Sequence, residues 1–154
     1  MSNSPKAIRL SKHFTLEELV RSQIAARLGI NNKPLKYSVR RLTALADNVL
    51  EPTRVHYGIP LIISSGYRCP ALNTAIGSGQ GSQHLKGQAA DFEIPSIANR
   101  TLANWIKANL TFDQLILEFH NPNVPDSGWV HCSYREGHNR NQCLIFDGKS
   151  YRTF

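Results

Sequence analysis

The run Ser82-Gln83-His84-Leu85-Lys86-Gly87-Gln88-Ala89-Ala90-Asp91 sets an imidazole and a carboxylate seven positions apart, with Gly87 between them. Glycine lets the chain turn sharply there, so His84 and Asp91 could converge on one point. Forty residues beyond Asp91, Trp129-Val130-His131-Cys132-Ser133 supplies a second imidazole in a strand-like stretch. Alternation with a period of two sends His131 to the face opposite Val130 and Cys132. Two histidines and one aspartate make a three-ligand set for zinc, and they leave the fourth tetrahedral position open, as a catalytic site requires. Spacing alone is a weak signal, because a single histidine is more often a surface or core residue. Trp129 and Ser133 share the His131 face, where Trp129 either lines a cleft or packs. Cys132 points away and reads as core, and Tyr67 reads as packing. His13, His56, His120 and His138 have no partner at ligand spacing.

Local signals define the elements that must hold these groups. Thr15 and Glu18 form a capping box with a Phe14/Leu19 staple, which predicts a helix whose apolar spacing runs through Leu16, Leu19, Val20, Ile24 and Leu28 to a C-cap at Gly29. Asn31-Asn32-Lys33-Pro34 reads as a turn. A second helix is predicted from about Ser38 toward Tyr57-Gly58, with Pro52 as a bend or a new first turn. Leu61-Ile62-Ile63-Ser64 reads as a buried strand that delivers Ser65-Gly66-Tyr67-Arg68 at its end. Residues 77–82 read as a flexible loop, and Ala89-Ala90-Asp91-Phe92-Glu93-Ile94 as a second strand. Ser96 is the predicted cap of a helix carrying Ile97, Leu102, Trp105, Ile106 and Leu110. Strands are predicted over 112–119, 128–134 and 143–146, the last turning over Asp147-Gly148 into a hairpin with Ser150-Tyr151-Arg152.

The run Ser64-Ser65-Gly66-Tyr67-Arg68-Cys69-Pro70, then Asn73, then Ser82-x-His84-x-x-Gly87-x-Ala89-x-Asp91, then Trp129-Val130-His131 closely resembles the M15 zinc peptidases of bacteria and their phages. These include D-Ala-D-Ala carboxypeptidases and phage endolysins that cut cell-wall peptides. Phe14-Thr15-Leu16-x-Glu18-Leu19 and the helix over 45–54 are similar to family members as well. The resemblance implies one zinc per chain held by His84, Asp91 and His131, with Arg68 on a substrate carbonyl or carboxylate. Ser82 would steady the ligand loop through its hydroxyl or act as an ordinary loop cap. Many relatives carry an acid three residues before the last histidine, and here that position is Gly128. Phe112-Asp113-x-x-x-x-Glu118 resembles the segment leading to the zinc histidine in the related hedgehog signalling domain, whose last ligand also sits in an H-C-S sequence. By that resemblance Glu118 is the catalytic base, with Asp126, Glu93 and His120 as alternatives. Together with the element pattern it implies an α+β fold: a single domain over 1–154, with a central antiparallel sheet flanked by helices and a loosely ordered N-terminal segment over 1–13. The activity implied is hydrolysis of a peptide bond in peptidoglycan stem peptides, as a carboxypeptidase or an endopeptidase. A non-catalytic zinc module that recognises muropeptides in a phage particle or cell envelope is the alternative.

Length and composition set the outer bounds. A chain of 154 residues is one domain's worth, long enough to bury roughly 68–70% of its unfolded surface. With 41% hydrophobic and 19% charged residues, disorder, a collagen-like chain and a coiled coil are disfavoured. No apolar run approaches the roughly 18 residues of a membrane span, so no membrane insertion is expected. The N-terminus lacks a signal-peptide core, which implies synthesis in the cytoplasm and action on the wall after phage-type or lysis-dependent release, or on a virion. Three cysteines without a CxxC spacing argue against a disulfide framework or a cysteine zinc knuckle, and leave room for one bridge at most. The net charge of +7 favours polyanionic surroundings. The basic residues are scattered, with Arg40-Arg41 the only adjacent pair, so no nucleic-acid partner is expected. A monomer is expected.

Overall fold

The structure is a computed structural model that describes residues 5–154. The capping box forms: the Thr15 hydroxyl accepts from the Glu18 N–H, and the Glu18 carboxylate accepts from the Thr15 N–H at 3.0 Å, starting α1 (Leu16–Val20). The single helix predicted through Gly29 breaks after one turn, where Arg21 takes an extended conformation (ψ 132). Ser22 then caps α2 (Gln23–Leu28) by accepting from the Ala25 N–H. Apolar spacing carried the prediction across this break, but a hydroxyl cap following a residue in extended geometry ends one helix and starts another. The next helix begins slightly early as α3 (Lys36–Leu45), widens into a π-helical turn over Ala46–Leu50, and continues as α4 (Glu51–Tyr57). The Glu51 N–H reaches back five residues to Ala46, and Pro52 next to it has no N–H to offer the ladder.

Six strands form one sheet: β1 (Ile62–Ser65), β2 (Ala89–Glu93), β3 (Gln114–Glu118), β4 (Trp129–Ser133), β5 (Gln142–Phe146) and β6 (Tyr151–Thr153), in the order β1-β2-β4-β3-β5-β6. Every neighbouring pair is antiparallel except β3 and β5, which are parallel, so the all-antiparallel expectation is corrected to a mixed sheet in an α+β fold. The chain leaving β4 does not fold back on it but crosses to the far side of β3. Backbone bonds from Asn141 to Phe112 (2.9 Å) and from Gln142 to Asp113 (3.1 Å) fix that crossing.

Register divides the sheet into two faces. Ala90, Phe92, Leu115, Leu117, Val130, Cys132 and Ile145 point to one side and join Leu42, Leu45, Val49, Leu102 and Ile106 in a single buried core. Cys132 is core, as alternation predicted, and all three cysteines are free and buried. Phe92 is wholly buried, and truncating such a side chain to alanine costs about 3–5 kcal/mol. The opposite face carries Asp91, His131, Ile116 and Glu118, so the two-residue period that builds the core also gathers the chemistry.

The remaining helices are α5 (Pro70–Ala75) and α6 (Asn99–Asn109). Ser96 does not cap α6: it sits at φ 71, and Ala98 holds the N-cap position. Of the N-terminal segment expected to be loose, residues 1–4 lie outside the described residues. From Arg9 the chain is fastened, through a bridge from Arg9 to Thr15, burial of Leu10, and bonds from Ser11 and His13 to Glu51. Among the described residues no helix is long and apolar enough to cross a membrane.

Candidate metal centre

His84 rides on a 3₁₀ turn, Gln83–Lys86, whose first N–H groups are held by Ser82: its hydroxyl accepts from the His84 N–H at 3.3 Å. Gly87 ends the turn at φ 71, the sharp reversal the sequence called for. The His84 Nδ1–H donates to the Gly66 carbonyl at 2.7 Å, which orients the ring and leaves Nε2 free to face the sheet. Asp91 on β2 and His131 on β4 stand directly opposite each other in register. The three side chains therefore meet: His84 Nε2 lies 3.3 Å from His131 Nδ1 and 3.3 Å from Asp91 Oδ1, and His131 Nδ1 lies 2.9 Å from Asp91 Oδ1.

Two imidazole nitrogens and a carboxylate oxygen, all buried and within 4.8 Å of one another, form a cluster that could hold a metal ion. Tetrahedral ligands about 2.0–2.1 Å from a zinc ion stand about 3.3 Å apart; two of the three separations equal that spacing and the third, at 2.9 Å, is somewhat shorter. The protonation states fit too. Burial pushes the His84 pKa down despite the pull of Asp91, favouring the neutral ring. Burial works against ionising Asp91, yet its polar contacts with His84 and His131 outweigh it and hold the carboxyl well below its usual range. Neutral imidazole and ionised carboxylate are the ligating forms.

Glu118 ends β3 opposite Trp129, on the same face as the cluster, with Oε1 4.0 Å from His131 Nδ1. Burial raises its pKa and the Asp91 charge adds to the rise, while His131 and Arg68 oppose it. Arg68 follows β1 and donates to Ser65 Oγ (3.1 Å) and to Asp91 Oδ2 (3.4 Å). Arg68, Glu118, Trp129 and the three cluster residues line one cleft of about 560 Å³. The alternatives for the base stand elsewhere. Glu93 accepts from Asn99 at 3.1 Å and shares a separate surface pocket with exposed Asp126, and the His120 ring faces the Ser127 carbonyl at 3.4 Å.

The glycine at the position where many relatives keep an acid has a steric cause. Gly128 sits at φ 69, and a Cβ there would lie 1.8 Å from the Glu118 carbonyl oxygen and 2.7 Å from the Phe119 carbonyl carbon. Asn99 clamps this crossing by donating to the carbonyls of Ser127 (3.2 Å) and Gly128 (3.1 Å). No side chain fits at position 128, and the carboxylate that reaches the cleft comes from the strand it presses on.

Three residues in or behind the site carried no functional expectation from sequence. Asp113 is completely buried and accepts both Arg140 Nε (3.0 Å) and Nη2 (2.7 Å), together with Gln83 Nε2 (2.9 Å). It thereby ties the turn carrying His84 to the start of β3 and to the crossing into β5. Burial raises its pKa, but the bonds from Arg140 and Gln83 prevail and hold it low. Its place in the Phe112-Asp113 motif was the available signal. Arg140 and Tyr151, which both line the cleft, had none, because they reach it only through the parallel β5.

The family model described as Peptidase M15 matches residues 12–133, most of the chain and all the site residues named from sequence, and the chain belongs to that family. M15 peptidases are metallopeptidases, in keeping with the His84–Asp91–His131 cluster. No curated protein matches the chain.

Proposed function

We propose that this chain is a zinc-dependent peptidase that hydrolyses a peptide bond in the stem peptides of bacterial peptidoglycan. The observation that carries the proposal is one cleft holding a buried His-Asp-His cluster, a single facing carboxylate with a raised pKa, and a guanidinium fixed beside them. His84, Asp91 and His131 would hold the zinc, which when bound polarises a carbonyl and acidifies water. Glu118 takes the proton from the attacking water and returns it to the departing amine, two transfers that a carboxylate of raised pKa serves well. Arg68, steadied by Ser65 and Asp91, offers paired N–H donors to a substrate carbonyl or carboxylate in a planar geometry that lysine lacks. Trp129 forms a wall of the cleft, and Ser82 keeps the His84 turn in place.

Peptidoglycan as substrate is supported by the likeness of the Ser64–Pro70 and His84–Asp91 motifs to wall-cutting M15 peptidases. The charge of +7 also suits an anionic envelope. Delivery by phage-type release, by lysis or on a virion is part of the same proposal. The test is digestion of purified peptidoglycan by the zinc-loaded protein, followed by mass analysis of the products. Shortened stem peptides, paired with a released amino acid or with a fragment bearing a new amino terminus, support it. Retention on peptidoglycan without any cut favours the non-catalytic module.

A further inference from the structure

Among the described residues β1 has a ladder partner on one side only, namely β2. Along its other side runs a groove of about 710 Å³ whose lining includes four successive residues, Ile62, Ile63, Ser64 and Ser65. Successive strand residues point to opposite faces, so a groove that reaches all four follows the backbone edge of the strand and not one of its faces. The far wall is the two-residue link between α1 and α2, Arg21 and Ser22, with Gln23 and Ile24 at the start of α2, opened by the helix break at Arg21. The wall is pinned in place: the Tyr67 N–H, just past β1, donates to the Leu19 carbonyl of α1 at 2.7 Å.

An edge strand with free backbone groups and an isoleucine 56% exposed invites pairing by another strand. Four residues of β1 at about 3.3 Å each give a groove about 13 Å long, the span of roughly four residues of extended peptide. Arg68 lines both this groove and the metal cleft, so a chain lying along β1 passes directly to the cluster. Among the described residues lining the groove, Arg21 and Arg68 are charged and none is acidic.

Resting on the peptidase reading above, we infer that the substrate is bound as an added β-strand on the free edge of β1, and that the groove is built for an extended, anionic peptide about four residues long. Main-chain bonds to β1 set its register, and Arg68 marks where it crosses into the metal cleft. Peptidoglycan stem peptides, which are short and carry free carboxylates, have this chemistry.

The test is amide hydrogen exchange of the zinc-loaded Glu118→Gln protein with and without a synthetic stem tetrapeptide at saturating concentration. Amides of Ile62–Ser65 should exchange about tenfold more slowly with peptide. Methylating one groove-facing peptide nitrogen should weaken binding roughly two- to tenfold, the worth of one hydrogen bond. If Glu118→Gln does not fold, wild type with a cleavage-resistant tetrapeptide gives the same readout. Protection at residues 82–91 with 62–65 unchanged overturns edge-strand binding and leaves the peptidase reading intact. No protection anywhere, from a peptide the wild type also fails to cut, overturns both.

Discussion

Gly128→Ala is the smallest change that tests why this chain carries its carboxylate on β3. The added Cβ would start 1.8 Å from the Glu118 carbonyl oxygen, so either the strand end or the turn must move by more than an ångström. The left-handed backbone at φ 69 costs an alanine about 1–2 kcal/mol, and forced displacement of packed backbone adds about 1–3 kcal/mol. A total of about 2–5 kcal/mol corresponds to a melting temperature lower by about 4–20 °C in a protein of this size. Gly58→Ala is the internal control: Gly58 sits at φ 67, yet nothing lies within 4 Å of its Cβ position, so that variant carries the conformational cost alone. Because the clash falls on Glu118 itself, peptidase activity of Gly128→Ala should drop by about 10²-fold, the scale of a misplacement near 1 Å. Activity of Gly58→Ala should hold. Thermal unfolding and peptide hydrolysis of the two variants side by side decide the matter. Equal destabilisation, or a Gly128→Ala protein that melts early but cuts at the wild-type rate, would refute the steric explanation.

Further outcomes follow from the same geometry. His131→Ala should lose nearly all bound zinc by metal analysis, and wild-type zinc affinity should fall steeply below about pH 6, where imidazole protonates; unchanged affinity at pH 5 speaks against histidine ligation. In the metal-free protein Glu118 should titrate above the ordinary glutamate value of about 4.3 by side-chain carboxyl NMR, because burial raises its pKa; a titration at or below that value contradicts the burial argument. Arg140→Ala should cost about 1–2 kcal/mol at pH 7, a modest figure because the Arg140 side chain is half exposed. Asp113 has a depressed folded pKa, so its contribution is present above its unfolded value near 3.9 and fades as pH falls through the folded one. The gap between Arg140→Ala and wild type in urea unfolding should therefore close in acid.

Much of this was legible because it is periodic or local. Strict alternation in Trp129-Val130-His131-Cys132-Ser133 foretold which side faces the core, and the Thr15/Glu18 box foretold where α1 starts. The apolar stripe of Val20, Ile24 and Leu28 runs through the helix break at Arg21 and hides it, while Ser22, a strong cap residue, is the local mark of the new start. Ser96 is not the cap because it takes a left-handed backbone two residues before the N-cap position, which Ala98 holds. Nothing local in Gln142–Phe146 says that it pairs in parallel with β3 and not with the strand before it. That choice is made by Asp113 and Asn141 holding the crossing, which are contacts distant in sequence. Arg140 and Tyr151 stayed out of sight with it. For the site, spacing alone suggested a His-Asp-His set, family resemblance singled out Glu118 and Arg68, and the steric role of Gly128 required coordinates.

A metal-dependent peptidase with Glu118 as its proton acceptor must keep its zinc and lose its rate when that carboxylate is removed. Zinc content and the release of new amino termini from purified peptidoglycan are determined for wild type and Glu118→Gln. One zinc per chain in both proteins, with a rate roughly 10²–10⁴-fold lower in the variant, is the predicted result. Wild-type protein that holds zinc and releases no termini, or a Glu118→Gln variant that cuts as fast as wild type, would contradict it.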